Sequence, residues 1–298
     1  MIVITTPTGD IGSQVLRNLL ERAPGAGEEV RVIVRDPAKL PTEIRSRVEV
    51  VTGSHADVDV VDVAFAGADS VFWLVPPDPQ ATSLQVAYSG FTAAAARAFT
   101  EQRVTHVVGV SALGRGTPLA GRAGLVTASL AMDDLISGTG VAYRALANGS
   151  FMDNLLRQVG SIGKAGVFTD TQAADRKAPV VATRDIAAAA AALLLDRNWT
   201  GVGSVALLGP EDLSQNDCAR IMSDILGRPV RYERRSLETF ARTLAGYGMG
   251  DAFVNGMVDM MRAKDDGLDE GTPRTPDTMC PTTFRQWCEE VLTPVVTA

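Results

Sequence analysis

The chain has 298 residues, of which 46% are hydrophobic and 21% are charged, a composition typical of folded globular proteins and not of disordered ones. The formal net charge of −7 argues against a nucleic-acid-binding protein, which needs a basic surface to neutralise phosphates. The three cysteines, Cys218, Cys280 and Cys288, form neither a metal-binding spacing nor a disulfide framework. We therefore expect no metal site and a reducing compartment.

The sequence gives no sign of a membrane or secretory segment. It begins directly with an apolar strand, which leaves no room for a signal peptide before it. The longest apolar run, from Ile186 to Leu195, is far shorter than the ~20 residues of a membrane-spanning helix. We expect a soluble cytoplasmic protein with no nucleic-acid or membrane partner, and the sequence leaves open whether it is a monomer or a homodimer.

The first half alternates apolar, β-rich runs with segments of helical periodicity, the pattern of a parallel sheet covered on both faces by helices. The first helix, which Asp10 is predicted to cap, is expected to stop at Gly25 and Gly27. Further helices are predicted over Leu84–Glu101 and Leu125–Ile136. The predicted strands are Ile2–Thr5, Val30–Val34, Val48–Val51, Ser70–Val75, Thr105–Val110 and Val141–Leu146.

After about Phe151 the rhythm changes, and short strands mix with helices. We expect residues 151–298 to complete the sheet and to form a small α/β lobe across the carboxyl ends of the strands, where open α/β sheets bind ligands. The segment Asp265 to Cys280 is predicted to be a surface loop. The predicted strands are Pro179–Val181, Ser204–Leu207 and Val230–Glu233, and the predicted helices are Arg184–Leu195, Asn216–Leu226, Leu237–Leu244, Ala252–Arg262 and Thr283–Leu292.

The turn between the first strand and the first helix has the features of a phosphate-binding loop. Gly9 would let the backbone approach a pyrophosphate, and Gly12 would let the helix pack closely on the strand. Thr6 stands where such fingerprints usually have their first glycine, so the path of the loop is open. We predict that residues 1–150 bind a dinucleotide at the opening of the first helix. The predicted contacts of this loop are Thr6, Thr8, Gly9, Asp10, Ile11 and Gly12.

The residues after the second strand favour NADP(H) over NAD(H). NAD-preferring sites usually place an acidic residue at the end of this strand, whereas an arginine accommodates a 2′-phosphate. Arg35 takes that position, and Lys39 would add positive charge one turn later. The alternative is that Arg35 is a solvated surface residue and that Asp36 binds the ribose.

The segments Thr8–Gly12, Val34–Leu40, Ser111–Gly114, Gly149–Asn154 and Val181–Ala187 resemble the NmrA-like branch of the atypical short-chain dehydrogenases/reductases. The resemblance implies a Rossmann-type doubly wound parallel sheet with a small C-terminal substrate lobe, and a preference for NADP(H). The branch includes quinone reductases, aromatic-ketone reductases and proteins that bind the cofactor only to sense redox state, so the resemblance leaves the activity open.

The resemblance also assigns positions around the cofactor. Ser111, at the end of the fifth strand, falls where short-chain reductases keep their catalytic serine. The alternative is a hydroxyl that bonds only nearby backbone. The resemblance places Val75, Pro76 and Pro77 beside the adenosine and diphosphate, and Asn148, Gly149, Ser150 and Phe151 beside the nicotinamide.

The chain lacks the tyrosine and lysine pair with which short-chain reductases protonate the developing alkoxide. None of its four tyrosines has a lysine at the fourth following position. Quinones, and aromatic ketones with a neighbouring phenol, can accommodate the new negative charge themselves, so hydride delivery to them needs no acid from the protein. We expect the substrate or a water to supply the proton and Ser111 to donate a hydrogen bond to the carbonyl oxygen. Asp133 and Asp134 are interpreted as a solvated face or as helix ends.

A methionine-rich amphipathic helix in the second half is predicted to bind an aromatic or quinone substrate, because methionine adapts to flat apolar ligands. The alternatives are a core helix and an oligomer contact. We predict an NADPH-dependent reductase of quinones or polycyclic aromatic ketones. The alternatives are a redox sensor that binds NADP(H) and a protein partner and, more remotely, a reductase of imines or enoyl double bonds. The predicted substrate contacts are Phe151, Met152, Tyr247, Met249, Phe253 and Met257.

Overall fold

The computed structural model describes residues 1–22, 28–276, 278 and 280–297. The predicted end of the first helix at Gly25 and Gly27 lies outside these residues. In chain order the described strands are β1 Ile2–Ile4, β2 Val30–Val34, β3 Glu49–Thr52, β4 Ser70–Trp73, β5 His106–Ala112, β6 Ala142–Asn148, β7 Ser150–Phe151, β8 Val167–Asp170, β9 Ala178–Val181, β10 Val202–Leu207, β11 Asp212–Leu213 and β12 Arg231–Arg234. The described α-helices are α1 Asp10–Arg22, α2 Thr42–Arg45, α3 Val58–Phe65, α4 Phe91–Glu101, α5 Leu125–Ser137, α6 Val159–Ala165, α7 Thr183–Leu195, α8 Gln215–Leu226, α9 Leu237–Gly246, α10 Asp251–Asp265, α11 Phe284–Trp287 and α12 Thr293–Val296.

Seven of these strands build one parallel sheet in the spatial order β10, β6, β5, β4, β1, β2, β3. The chain first runs from β1 outward to β3 and then returns to the other side of β1 with β4. This reversal opens a crevice at the carboxyl ends of β1 and β4, where doubly wound sheets bind their ligands. The arrangement confirms the predicted Rossmann-type doubly wound parallel sheet.

Helices cover both faces of this sheet. Helices α1 and α7 pack on one face, and helices α3, α4 and α5 pack on the other. Because β1 is covered on both sides, all of Ile2–Ile4 is buried, which explains why the strand is apolar at every position. In the described part of the chain, no helix is long and apolar enough to cross a membrane.

The residues after Phe151 contribute to the main sheet and to a lobe beside it. Strand β10 pairs in parallel with β6 and extends the main sheet at its edge. The lobe holds two small sheets, one of β7, β9 and β11 and one of β8 and β12. Helix α6 is not predicted by the sequence pattern, because Gly160 and Gly163 lower its intrinsic helix propensity, so tertiary packing must hold it.

Candidate cofactor and substrate site

The turn after β1 adopts a strained path that brings two backbone segments into contact. Thr6 has a φ of +51°, the left-handed region that a β-branched residue rarely adopts and that glycine usually supplies in such loops. A Cβ atom on Gly12 would lie 2.1 Å from the Thr6 carbonyl oxygen. Gly12 therefore lets α1 begin directly against the turn. Strain of this kind is typical of ligand-binding loops.

A cavity of about 320 Å³ lies beside this turn, at the end of β2. Arg35 and Lys39 are exposed at its wall, and among the described residues neither forms a salt bridge. The Asp36 carboxylate instead accepts a hydrogen bond of 3.0 Å from the backbone N–H of Ala38, where it caps the 3₁₀ turn Pro37–Lys39. The two cations are thus free to bind an anion, whereas one oxygen of Asp36 is already occupied. The cavity is lined by Thr8, Val34, Arg35, Asp36 and Lys39.

The loop after β4 is fixed from two sides. The Thr5 hydroxyl accepts a hydrogen bond of 3.1 Å from the N–H of Leu74, and Nε2 of His55 lies 3.0 Å from the Leu74 carbonyl oxygen. Farther along, the N–H of Gly250 donates to the Pro79 carbonyl oxygen at 2.8 Å. These contacts hold the intervening segment at the carboxyl edge of the sheet. There Val75 and Pro76 are half-buried and Pro77 is exposed.

Ser111 lies at the end of β5, but its hydroxyl proton is already committed. The hydroxyl donates a hydrogen bond of 2.5 Å to Asp133 Oδ2, and Tyr143 donates one of 2.6 Å to Asp133 Oδ1. Burial raises the pKa of Asp133, and the hydrogen bonds from Ser111 and Tyr143 oppose that rise. Asp133 is 2% exposed, so its interpretation as a solvated residue is wrong. The catalytic role of Ser111 remains a prediction, and this geometry favours a structural one.

None of the four tyrosines has the environment of a proton donor in reduction. Burial raises the pKa of Tyr143 well above its ordinary value and raises the pKa of Tyr88 to about 12. The Tyr232 hydroxyl donates to the backbone of Gln172 at 2.6 Å. Tyr247 is 76% exposed at the end of α9. A tyrosine that acts as the acid would need both a lowered pKa and a position in the cleft, and none of these four tyrosines has both.

Strand β6 ends in a buried polar residue, Asn148, at the carboxyl edge of the sheet. Asn148 is 3% exposed, and its amide Nδ2 donates to the carbonyl oxygens of Ser111, at 3.0 Å, and Leu146, at 2.8 Å. Its Oδ1 atom is buried without a hydrogen-bond partner among the described residues. Gly149 lies so close to the chain that a Cβ atom there would be 2.7 Å from the Pro179 carbonyl oxygen. These contacts fix Asn148 as an acceptor at the carboxyl edge.

Helix α10 crosses the carboxyl edge of the sheet. It starts beside the loop after β4, and its Gly256 touches Gly124 at the start of α5, where an added Cβ would lie 2.0 Å from the Gly256 carbonyl oxygen. Near its end, the Lys264 Nζ atom lies 3.4 Å from Ser150 Oγ, just beyond β6. Residues at a spacing of three or four share the helix face that carries Lys264. They are Phe253, Met257, Met260 and Met261.

The predicted substrate residues lie at four different places in the structure. Phe253 and Met257 share the helix face that carries Lys264, and Met249 is half-buried just before α10. Met152 is 2% exposed and packs in the interior of the lobe with Ile162 and Phe168. This burial favours a core role for Met152, and its substrate contact remains a prediction. The other two predicted residues are Phe151, which packs half-buried against the main core, and the exposed Tyr247.

An ion pair that no sequence motif predicts lies next to this helix face. Lys264 pairs with Asp269, and their side chains are only 11% and 2% exposed. Asp269 Oδ1 has no hydrogen-bond partner among the described residues. The sequence places Asp269 within a stretch predicted to be a surface loop, which is wrong at this position: Leu268 and Asp269 are both buried, and Leu268 packs against Gly114. Buried charges of this kind are rare unless they are paired.

A second cavity, of about 470 Å³, lies between α5 and α10. This cavity is larger than the one at the end of β2, but it is lined by a different face of α10 from the one that carries Lys264. On α5 it is bordered by Thr127 and Ala131, opposite the Asp133 side that faces β5, and on α10 by Asp259 and Arg262. Its lining includes no residue of the turn after β1.

Comparisons with known proteins agree with this geometry. A family model described as NAD(P)H-binding matches residues 7–197, well over half of the chain. The chain belongs to this NAD(P)H-binding family. It is 31% identical to a (4-alkanoyl-5-oxo-2,5-dihydrofuran-3-yl)methyl phosphate reductase from Streptomyces griseus over 82% of this chain and 79% of the relative. It is 28% identical to an NAD(P)H azoreductase from Xenophilus azovorans over 87% of this chain and 86% of the relative.

The fold is shared with a solved structure that contains the cofactor. The NADPH complex of a quinone oxidoreductase from Escherichia coli superposes with a TM-score of 0.78 and covers 99% of both chains at 22% identity. At this identity the likeness concerns the fold.

The NAD(P)H-binding family's cofactor fits the residues at the carboxyl edge. The first-turn N–H groups of α1 have no intrahelical partner and face the crevice beside the strained turn. Two buried acceptors, Thr6 Oγ1 and Asn148 Oδ1, have no partner within the described part of the chain. Thr6 follows β1 and Asn148 ends β6, and these two strands are three strand spacings apart, or about 14 Å. An extended dinucleotide requires polar groups spread over such a distance.

The buried His55, which contacts the loop after β4, should make the stability of the protein sensitive to acid. Burial, with a smaller effect from Arg35, lowers its pKa from 6.5 to about 4. Because the unfolded chain binds the proton first, stability is lost as the pH falls from about 6.5 towards 4. We expect the wild type to lose about 2 kcal/mol more unfolding free energy between pH 7 and 5 than His55→Gln, which keeps a donor for Leu74. Urea unfolding at both pH values measures this, and equal losses would contradict it.

Proposed function

We propose that the protein is an NADPH-dependent reductase that delivers hydride to a carbonyl of a quinone or a polycyclic aromatic ketone. The observation that carries this proposal is the apolar face of α10, which lies across the carboxyl edge between the loop after β4 and Ser150. Phe253 and Met257 lie on that face, and methionine and aromatic side chains suit flat apolar ligands. The similarity to an azoreductase and to a quinone oxidoreductase supports the same class of conjugated acceptor.

The choice of NADPH over NADH rests on the cavity at the end of β2. A 2′-phosphate there would meet the guanidinium of Arg35 and the ammonium of Lys39, and charge-assisted hydrogen bonds to arginine are strong and directional. With one oxygen of Asp36 bound to Ala38, the carboxylate is less able to hold a ribose hydroxyl. When bound, the cofactor supplies a hydride, and the chain's role is to orient it and to exclude water.

The substrate class follows from what the site lacks. The Ser111 hydroxyl donates its hydrogen bond to Asp133, and the buried tyrosines Tyr88 and Tyr143 have raised pKa values. A substrate that delocalises the new negative charge therefore has an advantage, because no strong acid of the protein is needed. Water or the substrate's own phenol would supply the proton, and Asn148 and Ser150 would border the nicotinamide.

The test is NADPH absorbance decay with three groups of acceptors. We expect turnover of quinones and of hydroxylated aromatic ketones, and turnover of simple aliphatic ketones at least about 100-fold slower, because a general acid usually contributes that much. Equal rates for aliphatic ketones would contradict the mechanism. No turnover of any acceptor, together with tight NADP(H) binding by fluorescence titration, would favour a redox sensor.

A further inference from the structure

We infer that Ser150 is the hydroxyl that donates a hydrogen bond to the acceptor oxygen during reduction, and that Lys264, held by Asp269, positions it. This inference rests on the proposed reductase function and adds a catalytic residue to that site. Three observations lead to it: where the proton of each candidate serine goes, how Lys264 is fixed, and where α10 lies.

The two serines at the carboxyl edge differ in what their protons do. The hydroxyl of Ser111 donates to Asp133 at 2.5 Å, so its only proton is already used in a hydrogen bond within the protein. The hydroxyl of Ser150 instead accepts from the Lys264 ammonium at 3.4 Å. Among the described residues the Ser150 hydroxyl has no acceptor of its own. Since Lys264 occupies one lone pair of this oxygen, the proton of Ser150 is left for a partner that the protein does not supply.

Lys264 is held in place by a buried partner. Its ammonium pairs with Asp269, whose side chain is 2% exposed and lies beside Leu268, which packs against Gly114. Fixing a lysine side chain costs conformational entropy. Because the buried Asp269 already holds Lys264 in the folded protein, that cost is not added when a substrate binds. The remaining N–H groups of the ammonium can then polarise the Ser150 hydroxyl without leaving Asp269.

This pair lies at the carboxyl edge of the sheet, where doubly wound sheets bind their ligands. Ser150 follows β6 by two residues, and Phe151 beside it turns to the opposite side and packs on the main core. Lys264 shares its helix face with Phe253 and Met257, so an aromatic ligand against this face meets the Ser150 hydroxyl at its edge. Donors aimed at an oxygen where charge develops act most strongly in a site closed to water.

The chemical role is hydrogen-bond donation, without proton transfer by the pair. The acceptor gains one hydride and one proton, and the proton comes from water or the substrate as in the proposed function. Ser150 stabilises the negative oxygen before that proton arrives. Lys264 stays an ammonium and Asp269 stays a carboxylate throughout, so neither residue changes charge.

The experiment compares Ser150→Ala and Lys264→Met with Lys264→Arg, using a quinone that the wild type reduces. We expect Ser150→Ala to lower kcat about 100-fold with an unchanged Kd for NADP⁺ in a fluorescence titration. Lys264→Met should lower kcat similarly, and Lys264→Arg, which keeps a donor, should recover part of it. The matched controls are Ser161→Ala and Lys164→Met, two exposed residues of α6 that should leave kcat at the wild-type value.

A second variant distinguishes loss of folding from loss of the catalytic contribution of Lys264. Lys264→Met leaves Asp269 buried without its partner, so its melting temperature is compared with that of the double variant Lys264→Met/Asp269→Asn, which removes both charges. A folded double variant that keeps the wild-type kcat overturns the role of Lys264. A wild-type kcat for Ser150→Ala, or a loss confined to Ser111→Ala, overturns the role of Ser150. A wild type that reduces no acceptor would contradict the proposed function itself.

Discussion

Replacing Gly12 with alanine should destabilise the protein and remove most of its affinity for NADPH. The new Cβ atom would lie 2.1 Å from the Thr6 carbonyl oxygen and 2.8 Å from the Thr6 carbonyl carbon, both backbone atoms that cannot rotate away. Either the turn or α1 must shift. We expect the free energy of unfolding to fall by about 2–3 kcal/mol, as overpacking of a close contact does, and the Kd for NADPH to rise at least about 100-fold because the first-turn N–H groups move.

Gly9→Ala is the matched control within the same turn. Its Cβ atom would lie 3.5 Å from the Thr6 carbonyl oxygen, an ordinary contact. We expect the unfolding free energy of Gly9→Ala to stay within about 0.5 kcal/mol of the wild type, whereas its NADPH affinity falls if the backbone approaches the phosphates there. Urea unfolding and fluorescence titration of both variants measure the difference. A Gly12→Ala protein with wild-type stability and Kd would contradict the close contact.

The features that the sequence predicts well are local ones. Residues 6–12 span the turn after β1 and the first residues of α1, so the motif can be judged from neighbours in the chain. The conformation of Thr6 illustrates the limit even there: a threonine takes the left-handed position that glycine usually fills, which composition alone does not indicate. The strain must be offset by packing and by the contact with Gly12.

The features that escape the sequence are those that join distant segments. Ser111, Asp133 and Tyr143 come from β5, α5 and β6, and only the register of the sheet brings the two hydroxyls to one carboxylate. Lys264 and Ser150 are 114 positions apart. A lysine near a helix end is usually solvated, and its burial depends on how α10 crosses the sheet.

Periodicity also fails to assign partners to strands. The pattern correctly predicts a strand at residues 204–207, but the alternation of apolar residues is the same whether a strand joins a small lobe sheet or the edge of a large one. The structure places β10 beside β6 in the main sheet. Its carboxyl end therefore contributes to the same edge as β5 and β6, which bears on the shape of the substrate cleft.

Charge reversal at Arg35 should change the cofactor preference without affecting the fold. The Arg35 side chain is exposed at the cavity at the end of β2 and, within the described residues, forms no salt bridge, so Arg35→Glu breaks no internal ion pair. A 2′-phosphate would lose charge-assisted hydrogen bonds and face a carboxylate. We expect the Kd for NADP⁺ to rise about 100-fold, since hydrogen bonds to charged groups contribute about 1.5–3 kcal/mol. The Kd for NAD⁺, which has no 2′-phosphate, should change little.

Arg45→Glu is the control, because Arg45 is exposed on the short helix α2 and carries the same change of charge outside the cavity lining. Its two dissociation constants should remain those of the wild type. Ionic strength provides an independent reading: NADP⁺ binding to the wild type should weaken with added salt more steeply than NAD⁺ binding, and Arg35→Glu should lose that difference. If Arg35→Glu and Arg45→Glu weaken NADP⁺ equally, the effect is long-range charge and the 2′-phosphate does not contact Arg35. A ratio of the two dissociation constants unchanged by Arg35→Glu would assign the ribose to Asp36 instead.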